Sequence, residues 1–211
     1  MKSEDRRFTD TRDRLFGIAL DLFAEKGFDA TSIRDIVGVA GISTAAFYNH
    51  FKSKDALLEA VYRHYMDGRA NPRDSGSDAD ELDTLLEKSG PVEVVIRLAE
   101  KFRVAMDDPV FAKLTRVVFM ERQRNPAAAE IVRGDSAKFV AFMEELFVGF
   151  QKRGYLNGRD ARLVGRMAAL LHQGCFEDNV YYRYMKGESV DAIVKRQSQT
   201  LRAMLTELIG G

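Results

Sequence analysis

TSIRDIVGVAGISTAAFYNHFKSKDAL, running from Thr31 to Leu57, decides the fold. Ile33, Ile36, Val37 and Ala40 put one apolar face on a short helix. Thr31 or Ser32 can cap it, and Asp35, three residues after Ser32, has the spacing of a capping box. Gly41 supplies the left-handed residue that stops the helix. Ser43 then stands at the start of a second short helix over roughly 44–50. Two short helices around a glycine turn make a helix-turn-helix, whose second helix can lie in a DNA major groove. Phe47 and Phe51 are four apart and share the face that packs on the domain core. Ala45 and Ala46 let the helix approach base edges, where an alanine methyl can meet a thymine methyl. Ser53 caps a further helix. Lys54 in that helix's first turn opposes the helix dipole, which makes sense if a phosphate docks there.

The neighbouring segments are helical too. Upstream, Leu15, Ile18, Ala19, Leu22 and Phe23 recur at i, i+3, i+4, i+7 and i+8, and Gly27 ends the pattern. Downstream, Leu57, Leu58, Val61, Tyr62 and Tyr65 repeat it. Asp108–Pro109 and Asn125–Pro126 are helix starts, a capping residue followed by proline at the first helical position, and a further helix is expected from Pro91. No alternating strand pattern and no internal repeat is found. Residues 68–90 are rich in Gly, Ser and Asp and read as a linker, with a short helix over Glu81–Lys88 at most.

Composition narrows the function. The 211 residues carry 32 basic and 32 acidic side chains, so net charge selects no partner. The first 67 residues hold ten basic and eleven acidic groups. DNA affinity must therefore come from a local surface around Arg34, Lys52 and Lys54, doubled by dimerisation. The single cysteine, Cys175, allows no intrachain disulfide. The charged N-terminus is unlike a secretory signal, and no apolar run has the length of a membrane span. A soluble, cytoplasmic protein is expected. His172 and Cys175 share a helix face, yet two ligands are too few for a metal site. No nucleophilic triad, carboxylate pair or glycine-rich phosphate loop is present, so neither an enzyme nor a cofactor or metal is expected.

The stretch T-S-I-R-D-I-V-x-x-A-G-I-S-x-x-x-F-Y-x-H-F-x-S-K-x-x-L, with the upstream F-A-E-K-G-F-D-A-T-S, resembles the DNA-binding domain of the tetracycline-repressor (TetR/AcrR) family over roughly residues 10–60. Val37 stands where that family usually has Ala, and Phe47 where Leu or Ile is common. Residues 111–126, FAKLTRVVFMERQRNP, resemble a segment of some AcrR-like members. The resemblance implies an all-α chain: a three-helix DNA-binding domain with its connecting helix over 1–67, and a larger helical domain for ligand sensing and dimerisation over 68–211. It implies a homodimeric regulator, most simply a repressor on a palindromic operator, released by a small apolar or aromatic effector. Positions matching Thr31 or Ser32, Tyr48 and Lys54 would hold phosphates. Those matching Arg34, Ser43, Thr44, Ala45, Ala46, Asn49 and His50 would face the groove or its edge. The rival reading is a ligand-free architectural DNA-binding protein.

Phe and Met crowd the segment from about 91 to 184. Most must be core, but a subset suits an adaptable pocket. Phe102, Met106, Phe119, Met120, Met143, Phe147 and Phe176 are the apolar candidates, with Arg116, Glu121, His172 and Gln173 as polar ones. The last two helices, about 159–184 and 189–209, are expected to form the dimer surface. Gly165, Ala168, Ala169 and Gly174 would let helices approach, and the stripe Val190, Ile193, Val194, Leu201, Leu205 and Leu208 would fill the seam.

Overall fold

The computed structural model describes residues 11–66 and 76–209, excepting the side chains of 76–80, 102–106, 184, 185, 190 and 194. All regular elements among the described residues are helices. In order they are α1 (Thr11–Lys26), α2 (Ile33–Ala40), α3 (Thr44–His50), α4 (Lys54–Met66), α5 (Gly76–Met106), α6 (Pro109–Glu121), α7 (Pro126–Lys152), α8 (Ala161–Met185) and α9 (Val190–Ile209).

Cα packing divides the chain into two compact units. The first is Met1–Asn71 with Asp108–Val132, and the second is Pro72–Asp107 with Arg133–Gly211. The first unit therefore takes in α6 and the first turns of α7, a membership no linear boundary expresses. Its core joins Leu15, Ala19, Ile36, Phe47, Leu57, Leu58 and Val61, all completely buried, to Leu114 and Val118 of α6. Arg14 of α1 donates to the Ala40 carbonyl at 3.0 Å, and Arg116 of α6 donates to the Ala24 carbonyl. Both satisfy orphan acceptors at helix C-termini. At the α6–α7 turn, Asn125 is buried and bonds twice. Its Nδ2 donates to Asp55 Oδ1 at 2.8 Å, and its Oδ1 accepts from the Ala128 amide at 3.0 Å.

The second unit corrects the linker reading. Residues 76–89 are helical, and α5 is interrupted only at Gly90 (φ 79°, ψ 177°), after which Pro91 restarts it. Polar composition masks the apolar signal there. Leu82, Leu85 and Leu86 fall at i, i+3 and i+4 and pack on the second core, Leu86 being 2% exposed. Ion pairs hold the polar side: Glu81 takes Arg97 at 3.0 Å and Lys101 at 3.3 Å, and Asp83 takes Arg153 at 2.7 Å. The prolines at 109 and 126 sit where they were expected, each opening a helix.

Part of the stripe expected to fill the dimer seam is used inside the chain itself. On α9, Ile193, Leu201 and Leu205 are 1%, 3% and 0% exposed within the chain's own second unit. Gly165, Ala168 and Ala169 of α8 are likewise used internally, whereas Gly174 is exposed. A Cβ on Gly165 would lie 2.6 Å from the Met143 carbonyl oxygen and 2.9 Å from Glu144 Cα, both backbone atoms of α7. Only glycine allows α7 and α8 to cross that closely, and Ala168 and Ala169 are fully buried on the same helix. The apolar surface left open lies elsewhere on these helices. Leu163, Met167 and Leu170 recur at i, i+4 and i+7 along α8, 43–57% exposed, and Met204 of α9 is 48% exposed. Met167, Leu171, Ala203, Met204, Glu207 and Leu208 line a shallow groove there.

Candidate nucleic-acid interface

The turn between α2 and α3 is built by local hydrogen bonds. Ser32 Oγ accepts from the Asp35 amide at 3.1 Å, while the Asp35 carboxylate accepts from the Ser32 amide at 2.8 Å and the Ser32 hydroxyl at 2.6 Å. These bonds from Ser32 lower the Asp35 pKa. Gly41 adopts φ 66° and ψ 30°, and the following Ile42 amide donates to the Val37 carbonyl at 3.1 Å. That left-handed residue turns the chain within two positions, so Ser43 can cap α3 by accepting from the Ala46 amide at 3.1 Å. Ser53 caps α4 in the same way through the Ala56 amide.

Phe47 fixes which way α3 faces. It is completely buried, with its ring 5.8 Å from Phe51 and, edge-on, 5.5 Å from Tyr48. At about 100° per residue, Ala45 and Asn49 lie about 160° away from Phe47 on either side. They share the crest of the outward face. Ala46 and Tyr48 fall on its flanks, while Thr44 and His50 lie nearest the buried side. Ser43, Thr44, Ala45, Asn49 and His50 are exposed, Ala46 is half-buried, and Tyr48 is 53% exposed. Arg34 on α2 and Lys52 before α4 are exposed as well, with no hydrogen bond or ion pair among the described residues.

Two of the residues expected at phosphates are placed differently. Thr31 is completely buried, and its hydroxyl donates to Gly27 O at 2.8 Å and to Leu22 O at 3.2 Å, tying the α1–α2 turn together. Lys54 folds its ammonium back on the same turn. Nζ donates to Phe28 O at 2.6 Å and Thr31 O at 2.8 Å, and it lies 4.2 Å from the centre of the Phe28 ring. Its charge answers loop carbonyls, which explains a lysine in the first turn of a helix without a bound phosphate. Sequence spacing could not have found this, because the acceptors lie 23 and 26 residues away.

The ligand candidates do not gather into one cluster within either unit. Arg116, Phe119, Met120 and Glu121 belong to the first unit, and Met143, Phe147, His172, Gln173 and Phe176 to the second. The side chains of Phe102 and Met106 lie outside the described residues. Arg116 is engaged on α1, Met120 is 47% exposed, and Arg122 stacks on Phe119 at 4.3 Å. Met143 and Phe147 are fully buried core. What remains on α8 is a polar group beside an aromatic one. Gln173 Nε2 donates to Ser136 Oγ at 2.6 Å, and His172 stacks on Phe139 at 4.7 Å. Burial pushes the His172 pKa from 6.5 down to about 4, so the imidazole is neutral at pH 7. Its folded pKa lies below its unfolded one, so the unfolded chain takes the proton first as pH falls. Stability from this group is therefore fully present above about pH 6.5 and drains away down to about pH 4. Chemical denaturation of the parent and His172→Gln should show their stability difference changing across that window and constant above it.

No group of acidic, histidine or cysteine side chains among the described residues can hold a metal, and no described helix is long and apolar enough to cross a membrane.

Residues 18–61 match the family model described as bacterial regulatory proteins, tetR family. Over 56 residues the chain is 45% identical to the HTH-type transcriptional repressor KstR2 of Mycolicibacterium smegmatis. That match takes in 26% of this chain and 27% of KstR2, so the chain spans about a quarter of the length of the curated relative it matches. Likeness in fold runs much further. NalD, the secondary repressor of the MexAB-OprM multidrug efflux pump in Pseudomonas aeruginosa, superposes with a TM-score of 0.64 at 22% identity, over 90% of this chain and 94% of NalD. A tetR-type regulator structure from Mesorhizobium loti gives 0.64 at 19% identity over the whole of both chains. At such identities the likeness shows the fold alone.

Proposed function

We propose, on the premise that this chain is a tetR-family regulator by its N-terminal domain, that it is a cytoplasmic transcriptional repressor. It binds a palindromic operator as a homodimer and leaves it when a small apolar or aromatic effector binds. One observation carries the DNA reading. Helix α3 is anchored by a buried Phe47 and turns a crest of small and amide side chains outward, with two uncommitted cations, Arg34 and Lys52, exposed nearby. A helix so presented fits a major groove, and the cations fit the phosphates beside it. Two copies related by a two-fold axis would read half-sites about 10 bp apart.

The effector reading draws its support from the Phe and Met content of the second unit and from the uncharged His172–Phe139 and Gln173–Ser136 pairs. A ligand releases DNA only by preferring the conformation that does not bind it, and a hundredfold loss of affinity needs a coupling of about 2.7 kcal/mol.

Salt titration of duplex binding tests the DNA reading. Arg34→Ala and Lys52→Ala should each weaken binding on all sequences alike. Each should flatten the salt dependence by about one contact per subunit, about two in the slope per dimer. A chain that binds no duplex at 50 mM salt, or whose salt dependence neither variant alters, ends this reading. Operator binding against apolar amines, fatty acids and aromatic acids tests the effector. If none of them changes it, the ligand-free architectural reading takes its place.

A further inference from the structure

We infer that α3 reads an A·T-centred half-site: Ala45 against a thymine methyl and Asn49 against the adenine of a pair about two steps away. This rests on the proposed DNA binding and adds the bases to it.

The crest of α3 opposite Phe47 holds only these two side chains, and both are exposed. Whatever enters deepest into the groove is therefore a methyl group and a carboxamide. The two residues are one turn apart, about 6 Å along the axis, close to two base-pair steps of 3.4 Å. Thymine is the only base presenting a methyl group in the major groove, and a short alanine meets it without leaving a polar group unpaired. Asparagine offers one donor and one acceptor, the complement of adenine N7 and N6. The Asn49 carboxamide has no partner among the described residues, so it is not already spent on the fold.

Guanine is read best by a bidentate arginine or lysine, and α3, TAAFYNH, has neither. His50 is its one residue with basic character, and it lies about 60° from the buried Phe47, away from the crest. Tyr48 is on the flank, suited to the backbone. The free guanidinium of Arg34 sits on α2, so any guanine contact it makes lies outside the pair that α3 reads.

Selection of bound duplexes from a random library by the full-length chain, followed by anisotropy on the enriched site, tests this. The expected half-site carries A·T pairs at two positions about two steps apart. Replacing the thymine by uracil, which lacks only the methyl, should weaken binding severalfold in the parent and have no effect in Ala45→Gly. Asn49→Ala should cost about tenfold or more per half-site and relax the choice at the adenine position, and Asn49→Arg should move that position to guanine. Both residues are on the surface, and circular dichroism confirms that the variants fold. A half-site with G·C at both positions, or indifference to uracil, overturns the inference while DNA binding stands. Binding without any enriched sequence does the same. If no duplex is bound, the proposed function fails and the inference with it.

Discussion

Leu170→Glu is expected to yield a folded monomer whose operator affinity is down at least a hundredfold. Leu163, Met167 and Leu170 form a stripe on α8 that the chain itself does not cover, and Met204 of α9 extends it. Exposed apolar stripes of this kind mark association surfaces. In the proposed homodimer, α8 and α9 of two chains pack these stripes together as a four-helix bundle. A glutamate in that seam would be desolvated without a partner, at a cost of several kcal/mol. Leu170 is 57% exposed in the single chain, so the same change costs the monomer little. Loss of the dimer separates the two half-sites and removes the gain from binding both at once. Leu205→Glu provides the contrast. Leu205 is completely buried in the second core, so that variant should unfold rather than dissociate. Sedimentation velocity and circular dichroism separate the two results. If Leu170→Glu keeps a dimer of parental strength, self-association uses another surface.

The two leucines show where reading a sequence stops. Periodicity says that a helix has an apolar face, and α9 does. It cannot say whether that face meets the same chain or another, because both burials have the same period. Helix ends were legible for the opposite reason, that their causes are local. The Ser32–Asp35 capping box, the Gly41 stop, the Ser43 and Ser53 caps and the Asp108–Pro109 start each involve residues within four positions. The exposed face of α3 was legible as well, since one buried phenylalanine sets the rotation of a seven-residue helix. Thr31 was not, because its hydroxyl bonds to carbonyls at the end of α1. The division of the ligand candidates between two packing units was not legible for a related reason. Phe and Met mark an apolar interior, but their assignment to two packing units depends on how α6, with the first turns of α7, joins α1 and α4.

Lys54→Ala should destabilise the first unit by about 2–3 kcal/mol and leave the salt dependence of DNA binding unchanged. Its ammonium makes two hydrogen bonds to the Phe28 and Thr31 carbonyls and faces the Phe28 ring. A hydrogen bond to a charged group contributes about 1.5–3 kcal/mol when well formed, and partial exposure of this one brings two bonds to the figure given. Removing the lysine also leaves two turn carbonyls short of a donor. The loss falls on the α1–α2 turn, which positions the Ser32 cap and hence the first turn of α2. Thr31→Val loosens the same turn from its other side, so the double variant should lose less than the sum of the two. Operator affinity should drop modestly, through a less ordered domain, with the slope against salt as in the parent. Arg34→Ala and Lys52→Ala should behave the other way round, with little change in stability and a flatter slope. A phosphate-binding Lys54 would follow the second pattern: unfolding unaffected and the slope reduced by about two per dimer. Thermal unfolding and salt titration on the same three variants therefore separate a lysine that holds the turn from lysines and arginines that hold the DNA.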